Sequence, residues 1–287
     1  MIQYLKRKEI DIQKYNACIE NSINSRIYAY SWYLDCVADN WDVLILNDYE
    51  AVMPMPWRQK YFIKYIYPPA WTQQLGIFSS RKLNSDLIRD FINSIPKKFK
   101  KVTIQFNAEN DLSLFKVENR TNYILPLNKS YEDIYKGFNT NRKRILKSVE
   151  KSNFRIEKRI NKDVFLKYYL ESNKNYKLHP SQLKTLNKLL NSNNPSIKLW
   201  GVLKDGNLIT GLLWLKEKKQ ITYLLPFSNQ EGKGLGIPTL LVNELMIQFS
   251  GSMVKLDFEG SMINGVAGFY KSFGGEFEKY FGFQKMF

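Results

Sequence analysis

The feature that most constrains this chain is an internal repeat. The stretch Val43–Pro54 has two apolar runs around a polar turn, and so does Trp200–Gly211. Each reads as a β-hairpin, with Asp205-Gly206 a strong tight-turn pair. Aligning the turn aspartates Asp48 and Asp205 sets an offset of 157 residues, at which Pro69 falls on Pro226 and Gln73 on Gln230. With a small gap, Leu75-Gly76-Ile77 then meets Leu235-Gly236-Ile237. A helical segment comes next in each half, Asp86–Ile92 and Thr239–Met246, and then an apolar strand, Val102–Phe106 and Met253–Phe258. Helix then strand, reached from a preceding strand, is a parallel crossover unit. The expected architecture is therefore α/β and doubled, with domains at residues 1–127 and 128–287. Each domain carries a mixed, mostly antiparallel central sheet flanked by helices.

Length agrees, because 287 residues suit two ordinary domains better than one or three. With 44% hydrophobic and 15% aromatic residues the chain has material for packed cores, which excludes global disorder. The boundary is expected near Pro126–Ser130. There Ser130-x-x-Asp133 can cap a helix running through Tyr135 to Arg142, Arg144 and Lys147. Phe154–Glu157 alternates like a strand, and helices are expected from Asp163 to about Tyr176 and from Ser181 to about Leu190.

No apolar run approaches the ~20 residues that span a bilayer, and Met1–Lys8 lacks a signal-peptide apolar region. Two cysteines, Cys18 and Cys36, suggest no secreted disulfide framework, so a reducing cytoplasm is the expectation. One histidine and two scattered cysteines argue against a metal site. The net charge of +16 favours polyanionic partners such as phosphorylated cofactors, tRNA or an anionic membrane surface. A Lys-, Asn-, Ile- and Tyr-rich composition produces the same excess without selection for binding, so charge leaves both readings open.

The clearest functional stretch is Glu231-Gly232-Lys233-Gly234-Leu235-Gly236, opening a helix. Closely spaced glycines let backbone N–H groups face one anion, and a helix N-terminus adds a favourable dipole. The run lacks the Gly-Lys-Ser/Thr ending of a nucleoside-triphosphate loop.

Here the sequence resembles the GNAT superfamily of N-acyltransferases, whose donor loop is typically Gln/Arg-x-x-Gly-x-Gly/Ala. Glu231-x-x-Gly234-x-Gly236 has that glycine spacing, with Glu where a basic or amide residue is usual. The stretches Leu256-Asp257-Phe258-Glu259-Gly260-Ser261 and Gly268-Phe269-Tyr270-Lys271-Ser272-Phe273-Gly274 are similar to the branch of FemAB-type aminoacyl transferases, which are double GNAT folds. The resemblance implies direct attack of an amine on an activated acyl group, with acyl-CoA or aminoacyl-tRNA as a donor that is not permanently bound. The acceptor would be a small-molecule or peptide amine.

The same resemblance gives Tyr270 the place of a tyrosine that protonates the leaving group, and Lys271 the place of a phosphate-facing lysine. Packing of the last helix and a solvated helix face are the alternatives for these two. Asp257 and Glu259 alternate on one strand, so both can face a cleft and accept a proton from an incoming ammonium, unless one caps the following turn. The donor set is completed by Gly232, Lys233, Gly234, Leu235 and Gly236, and the resemblance adds Arg142 and Arg144 from a basic helix start as charge-assisted donors, a solvated helix face being the alternative for these two. In the first half Trp71, Gln73 and Gln74 occupy the place of a lost donor loop. They are expected to shape the acceptor side of a degenerate domain, or else to form a packed loop. An N-acyltransferase is the leading expectation, and a non-catalytic binding protein for a phosphorylated ligand or nucleic acid is the alternative.

Overall fold

The computed structural model describes residues 1–173, 177–260 and 262–287. Tyr176, the expected end of a helix, and Ser261, part of the expected strand-end motif, lie outside the described residues. The chain begins with β1 (Ile2–Lys6), α1 (Ile12–Asn21), α2 (Ser31–Val37), β2 (Asn40–Leu46), β3 (Ala51–Lys60), β4 (Ile63–Ile66), β5 (Phe78–Ser79), α3 (Ser85–Asn93) and β6 (Phe99–Phe106). It continues with β7 (Glu118–Pro126), α4 (Tyr131–Lys136), α5 (Thr140–Glu150), β8 (Ile156–Glu157), α6 (Lys162–Ser172) and α7 (Pro180–Asn191). The remainder is β9 (Ile197–Lys204), β10 (Asn207–Lys216), β11 (Gln220–Ser228), α8 (Gln230–Gly234), α9 (Ile237–Phe249), β12 (Lys255–Asp257), α10 (Asn264–Lys271) and β13 (Glu276–Met286).

Two compact units result. The first comprises residues 1–121, 180–192 and 278–287, and the second comprises 122–179 and 193–277. A single cut after residue 127 misses two excursions. Helix α7 packs on α2 in the first unit, and residues 281–286 of β13 pair with β6 there.

In the first unit the strands run in the order β1-β2-β3-β4-β6-β13, antiparallel except for β4 and β6. In the second the order is β8-β9-β10-β11-β12-β7, antiparallel except for β11 and β12. The repeat is thus a repeat of topology, hairpin followed by strand, helix and parallel strand. In both hairpins the turn aspartate, Asp48 or Asp205, sits just beyond the first strand, and Asp205 and Gly206 adopt the positive φ that a tight turn demands.

Local chemistry sets the helix ends. Ser130 caps α4 by accepting from the Asp133 amide, as its spacing predicts. The expected continuous helix to Lys147 is instead two helices. Asn139 caps a fresh start by accepting from the Arg142 amide at 2.8 Å, and the chain breaks at Gly137. The expected strand at Phe154–Glu157 is reduced to the two residues of β8.

Each unit has its own core. Met53, Ile88, Phe91, Phe99 and Phe106 are fully buried in the first, and Leu212, Leu245, Leu256, Phe258 and Phe273 in the second. The second-unit site depends on how its parallel pair ends. Strands β11 and β12 match only at Gln220↔Lys255, Ile221↔Leu256 and Thr222↔Asp257. There β12 stops while β11 continues to Ser228, so the two strands part.

Candidate functional site

Beyond that parting lies a cavity of about 440 Å³ whose lining comes entirely from the second unit. Tyr223 and Phe227 of β11 line it, together with Gly236 and Thr239 at the start of α9. Phe269 and Tyr270 of α10 and Arg142 of α5 close it.

Arg142 is the most informative of these groups. It is 8% exposed, its Nε donates to Ser272 Oγ at 2.9 Å, and its Nη1 donates to Thr239 Oγ1 at 2.5 Å. Its guanidinium carbon lies 4.5 Å and 4.7 Å from the ring centroids of Phe269 and Phe273. Burial pulls its pKa down from the usual arginine value, yet arginine stays cationic at any physiological pH. Among the described residues no carboxylate forms an ion pair with it. Isolated charge inside a protein is costly unless something compensates it. Neutral hydroxyls and aromatic faces compensate in part and hold the fork in place.

Tyr270 is 5% exposed and stacks on Phe258 with ring centroids 4.6 Å apart. Its edge meets Tyr223, itself 3% exposed, at 6.1 Å. Burial raises both phenols above the ordinary tyrosine value. The charges of Tyr223, Glu259 and Asp257 push Tyr270 further up, while Arg142 pulls Tyr223 back. Both phenols are therefore neutral hydrogen-bond donors at neutral pH. Tyr223 was not marked by any motif. It lies within the apolar run of β11, and its one signal is that it stands 157 residues after Ile66, at the matching end of the first unit's parallel pair.

The two expected carboxylates separate. Asp257 is fully buried and accepts from Asn122 Nδ2 at 2.9 Å, Gln220 Nε2 at 2.8 Å and the Glu259 amide at 3.0 Å. It ties β7 to β11 and caps the turn after β12, which makes it a structural anchor and not a group open to an incoming ammonium. Glu259 does not continue the strand alternation, because its φ is +53°. That conformation is uncommon for a residue with a side chain and turns its carboxyl away from the strand pattern. Carboxyl Oε1 is buried, and burial raises its pKa well above the glutamate value of 4.5. Glu259 is not among the cavity-lining residues.

The glycine loop is tighter than a cradle. The Gly232 amide donates to Asn229 Oδ1 at 2.8 Å and the Lys233 amide to Asn229 O at 3.0 Å. Leu235 N donates to Glu231 O at 2.9 Å and Gly236 N to Lys233 O at 3.0 Å. These amides are spent on α8 and its cap. Glycine is required here chiefly by close packing. A Cβ on Gly232 would sit 2.3 Å from Thr210 Oγ1, and one on Gly236, at φ +75°, would sit 2.4 Å from Ile145 Cγ2. Gly234 faces open space. Gly236 and Lys233 line the cavity, Leu235 and Gly234 do not, and Glu231 is ion-paired with Lys204.

Other expected contributors lie elsewhere. Arg144 is exposed and donates to Asn141 Oδ1, while Lys271 is exposed with its Nζ 5.4 Å from the Tyr123 ring centroid. Neither lines the cavity. In the first unit Trp71 has φ +65°, and its indole N–H donates to Gln182 O at 3.0 Å and Thr185 Oγ1 at 3.2 Å on α7. Its carbonyl accepts from the Tyr33 hydroxyl. Gln74 is fully buried and donates to Gln73 Oε1. Gln73 lines only a crevice of about 10 Å³.

No family model matches the chain, and no curated protein matches its sequence. Solved structures do. FemX superposes with a TM-score of 0.72 at 10% identity, over 97% of this chain and 96% of that one. L-PGS from Bacillus licheniformis gives 0.58 at 11% identity, over 95% and 91%. A tandem GNAT protein from the clavulanic acid biosynthesis pathway gives 0.57 at 10% identity, over 100% and 98%. Identities this low speak for fold alone: the chain has the fold of FemX and of the tandem GNAT protein.

Proposed function

We propose that this protein is an N-acyltransferase, with the second-unit cavity as its donor site. The observation that carries the reading is Arg142. A buried guanidinium without a carboxylate partner among the described residues faces a cavity at the point where β11 and β12 part. An activated acyl donor with an anionic leaving portion fits that chemistry: its negative charge would bind Arg142, and its acyl carbonyl would lie near the unpaired edge of β11. The acceptor amine attacks the carbonyl carbon, a C–N bond forms, the bond to sulfur or oxygen breaks, and the amine proton leaves. Tyr270, neutral at working pH, would donate a hydrogen bond to the departing atom. Its raised pKa makes full proton transfer to a thiolate uphill, so the contribution is stabilisation of developing charge. Glu259 does not line the cavity, so the amine proton passes to solvent.

Acyl-CoA is the first donor to test, from the glycine spacing and the compact site. Aminoacyl-tRNA is the second reading, favoured by one observation: the loop amides that would cradle a diphosphate are already bonded. The net charge of +16 is in keeping with a tRNA ligand. Acceptor binding by Trp71, Gln73 and Gln74 loses support because the Trp71 indole N–H is engaged, Gln74 is fully buried, and the crevice of about 10 Å³ at Gln73 is too small for an amine substrate. Calorimetric titration separates the donors. Heat with acetyl-CoA that disappears in Arg142→Met supports the first reading. Silence with acetyl-CoA and tight, salt-sensitive binding of aminoacyl-tRNA moves the donor to the ester. No binding of either rejects the proposal.

A further inference from the structure

The hairpin joining β3 to β4 has a turn that folding alone does not explain. Lys60 pairs with Ile63, leaving Tyr61-Phe62 as a two-residue turn with φ of +45° and +66°. Asn-Gly or Asp-Gly suits such a turn best, because both positions need positive φ and bulky side chains resist it. Here two aromatic residues take the strained positions and point outward. Tyr61 is 82% exposed, Phe62 95% and Ile63 53%. Stability and solubility both argue against that choice.

The other copy of the fold supplies a control. Residues 157 positions further on, at the matching β10–β11 connection, are Glu217-Lys218-Lys219-Gln220. Apolar character at the tip therefore belongs to the first unit and not to the repeated hairpin. Around the tip the charge is basic. Lys60 lies over the Tyr61 ring and Lys64 over the Trp57 ring. The β4–β6 register sets Lys64 opposite Phe99, with Lys98 beside it and within electrostatic reach. Acidic groups nearby are engaged: Asp39 pairs with Arg58, and Asp42, felt at Lys98 along with Glu9, accepts from Tyr4 and Arg7.

We propose that this tip docks the protein onto an anionic lipid surface, with Tyr61, Phe62 and Ile63 entering the headgroup region while the lysines meet lipid phosphates. An apolar tip supplies the inserted area and the basic collar supplies the sign, the two components that interfacial attachment needs. Among the described residues no helix is long and apolar enough to cross a membrane, so attachment would be to the surface.

Co-sedimentation of the full chain with vesicles tests this, using phosphatidylcholine alone or mixed equally with phosphatidylglycerol. Wild type is expected to bind the mixed vesicles, to release in high salt, and to ignore pure phosphatidylcholine. The double variant Tyr61→Asn/Phe62→Gly, which suits the turn, is expected to melt at or above wild type and to bind about tenfold more weakly or worse. Lys60→Gln/Lys64→Gln keeps the aromatics and is expected to weaken binding to mixed vesicles several-fold. Equal binding by wild type and the aromatic double variant overturns the proposal, as does indifference to phosphatidylglycerol. Loss of self-association in light scattering, with vesicle binding unchanged, also overturns it by making the tip a contact between copies.

Discussion

The parallel pairs β4–β6 and β11–β12 begin alike and end differently. In the first unit the register stops at Ile66↔Val102, and the next loop returns to fill the space. Leu75 N donates to Gln105 O at 2.7 Å, and Asn107 N donates to Leu75 O at 2.9 Å, extending the ladder in place of the missing strand. About 10 Å³ remains, lined in part by Pro54 and Ile66. In the second unit the residues 157 positions later, Gly211 and Tyr223, line a cavity of about 440 Å³. One fold, used twice, is plugged in one copy and open in the other. A GNAT-like opening is thus set by the loop next to the parallel pair, and topology alone does not create it.

If the open copy is the working one, the largest effect should come from its buried cation. Arg142→Met is expected to lower kcat/KM for the donor by about 30- to 100-fold, the scale of lost charge-assisted hydrogen bonds. Its melting temperature should hold or rise, because a buried charge without an ion-pair partner is removed. Steady-state kinetics and calorimetry check both halves, and a large loss of stability with unchanged kinetics would make Arg142 a packing residue. Tyr270→Phe should reduce kcat by about tenfold with little change in KM, since the ring stack remains and only the phenol is lost.

The glycines sharpen the contrast between the copies. Gly236→Ala and Gly76→Ala both force a Cβ into occupied space at positive φ, 2.4 Å from Ile145 Cγ2 and 2.2 Å from Asn110 Oδ1. Each should cost about 1–3 kcal/mol in denaturant unfolding. Only Gly236→Ala should also disturb donor KM, because Gly76 belongs to the plugged copy. Gly234→Ala faces open space and should leave stability within about 0.5 kcal/mol of wild type.

The smallest effect concerns pH. Glu259 has a folded pKa raised by burial, so its neutral form contributes stability that is fully present below the unfolded value and is lost as pH rises through the folded one. Relative to Glu259→Gln, wild type should melt similarly near pH 4 and fall behind as pH rises above about 4.5, the ordinary glutamate value. A constant difference across that window would show that Glu259 ionises as freely as in water.

Much of this contrast was legible in the sequence because turn chemistry and apolar runs are local. Asp48 and Asp205 marked the hairpins, Gly76 and Gly236 marked the loops, and the order of helix and strand came with them. The site was less legible. Arg142 and Arg144 look equivalent in sequence, and only helix phase separates a buried guanidinium from an exposed one. Asp257 reads as chemistry until Asn122 and Gln220, 135 and 37 residues away in sequence, are seen to hold it. Tyr223 hides in an apolar strand. Helix α7 reads as part of the second domain by position, yet its contact with α2 places it in the first unit. Such long-range partners leave no local trace.

A chain with one open and one plugged copy should have a single working donor site, in the second unit. Calorimetric titration of the donor that proves active, into wild type, Arg142→Met and Gln73→Ala, decides this. One site per chain is expected, lost in Arg142→Met and unchanged in Gln73→Ala. Two sites per chain, or a site lost with Gln73→Ala and kept with Arg142→Met, would show that the plugged copy binds donor after all.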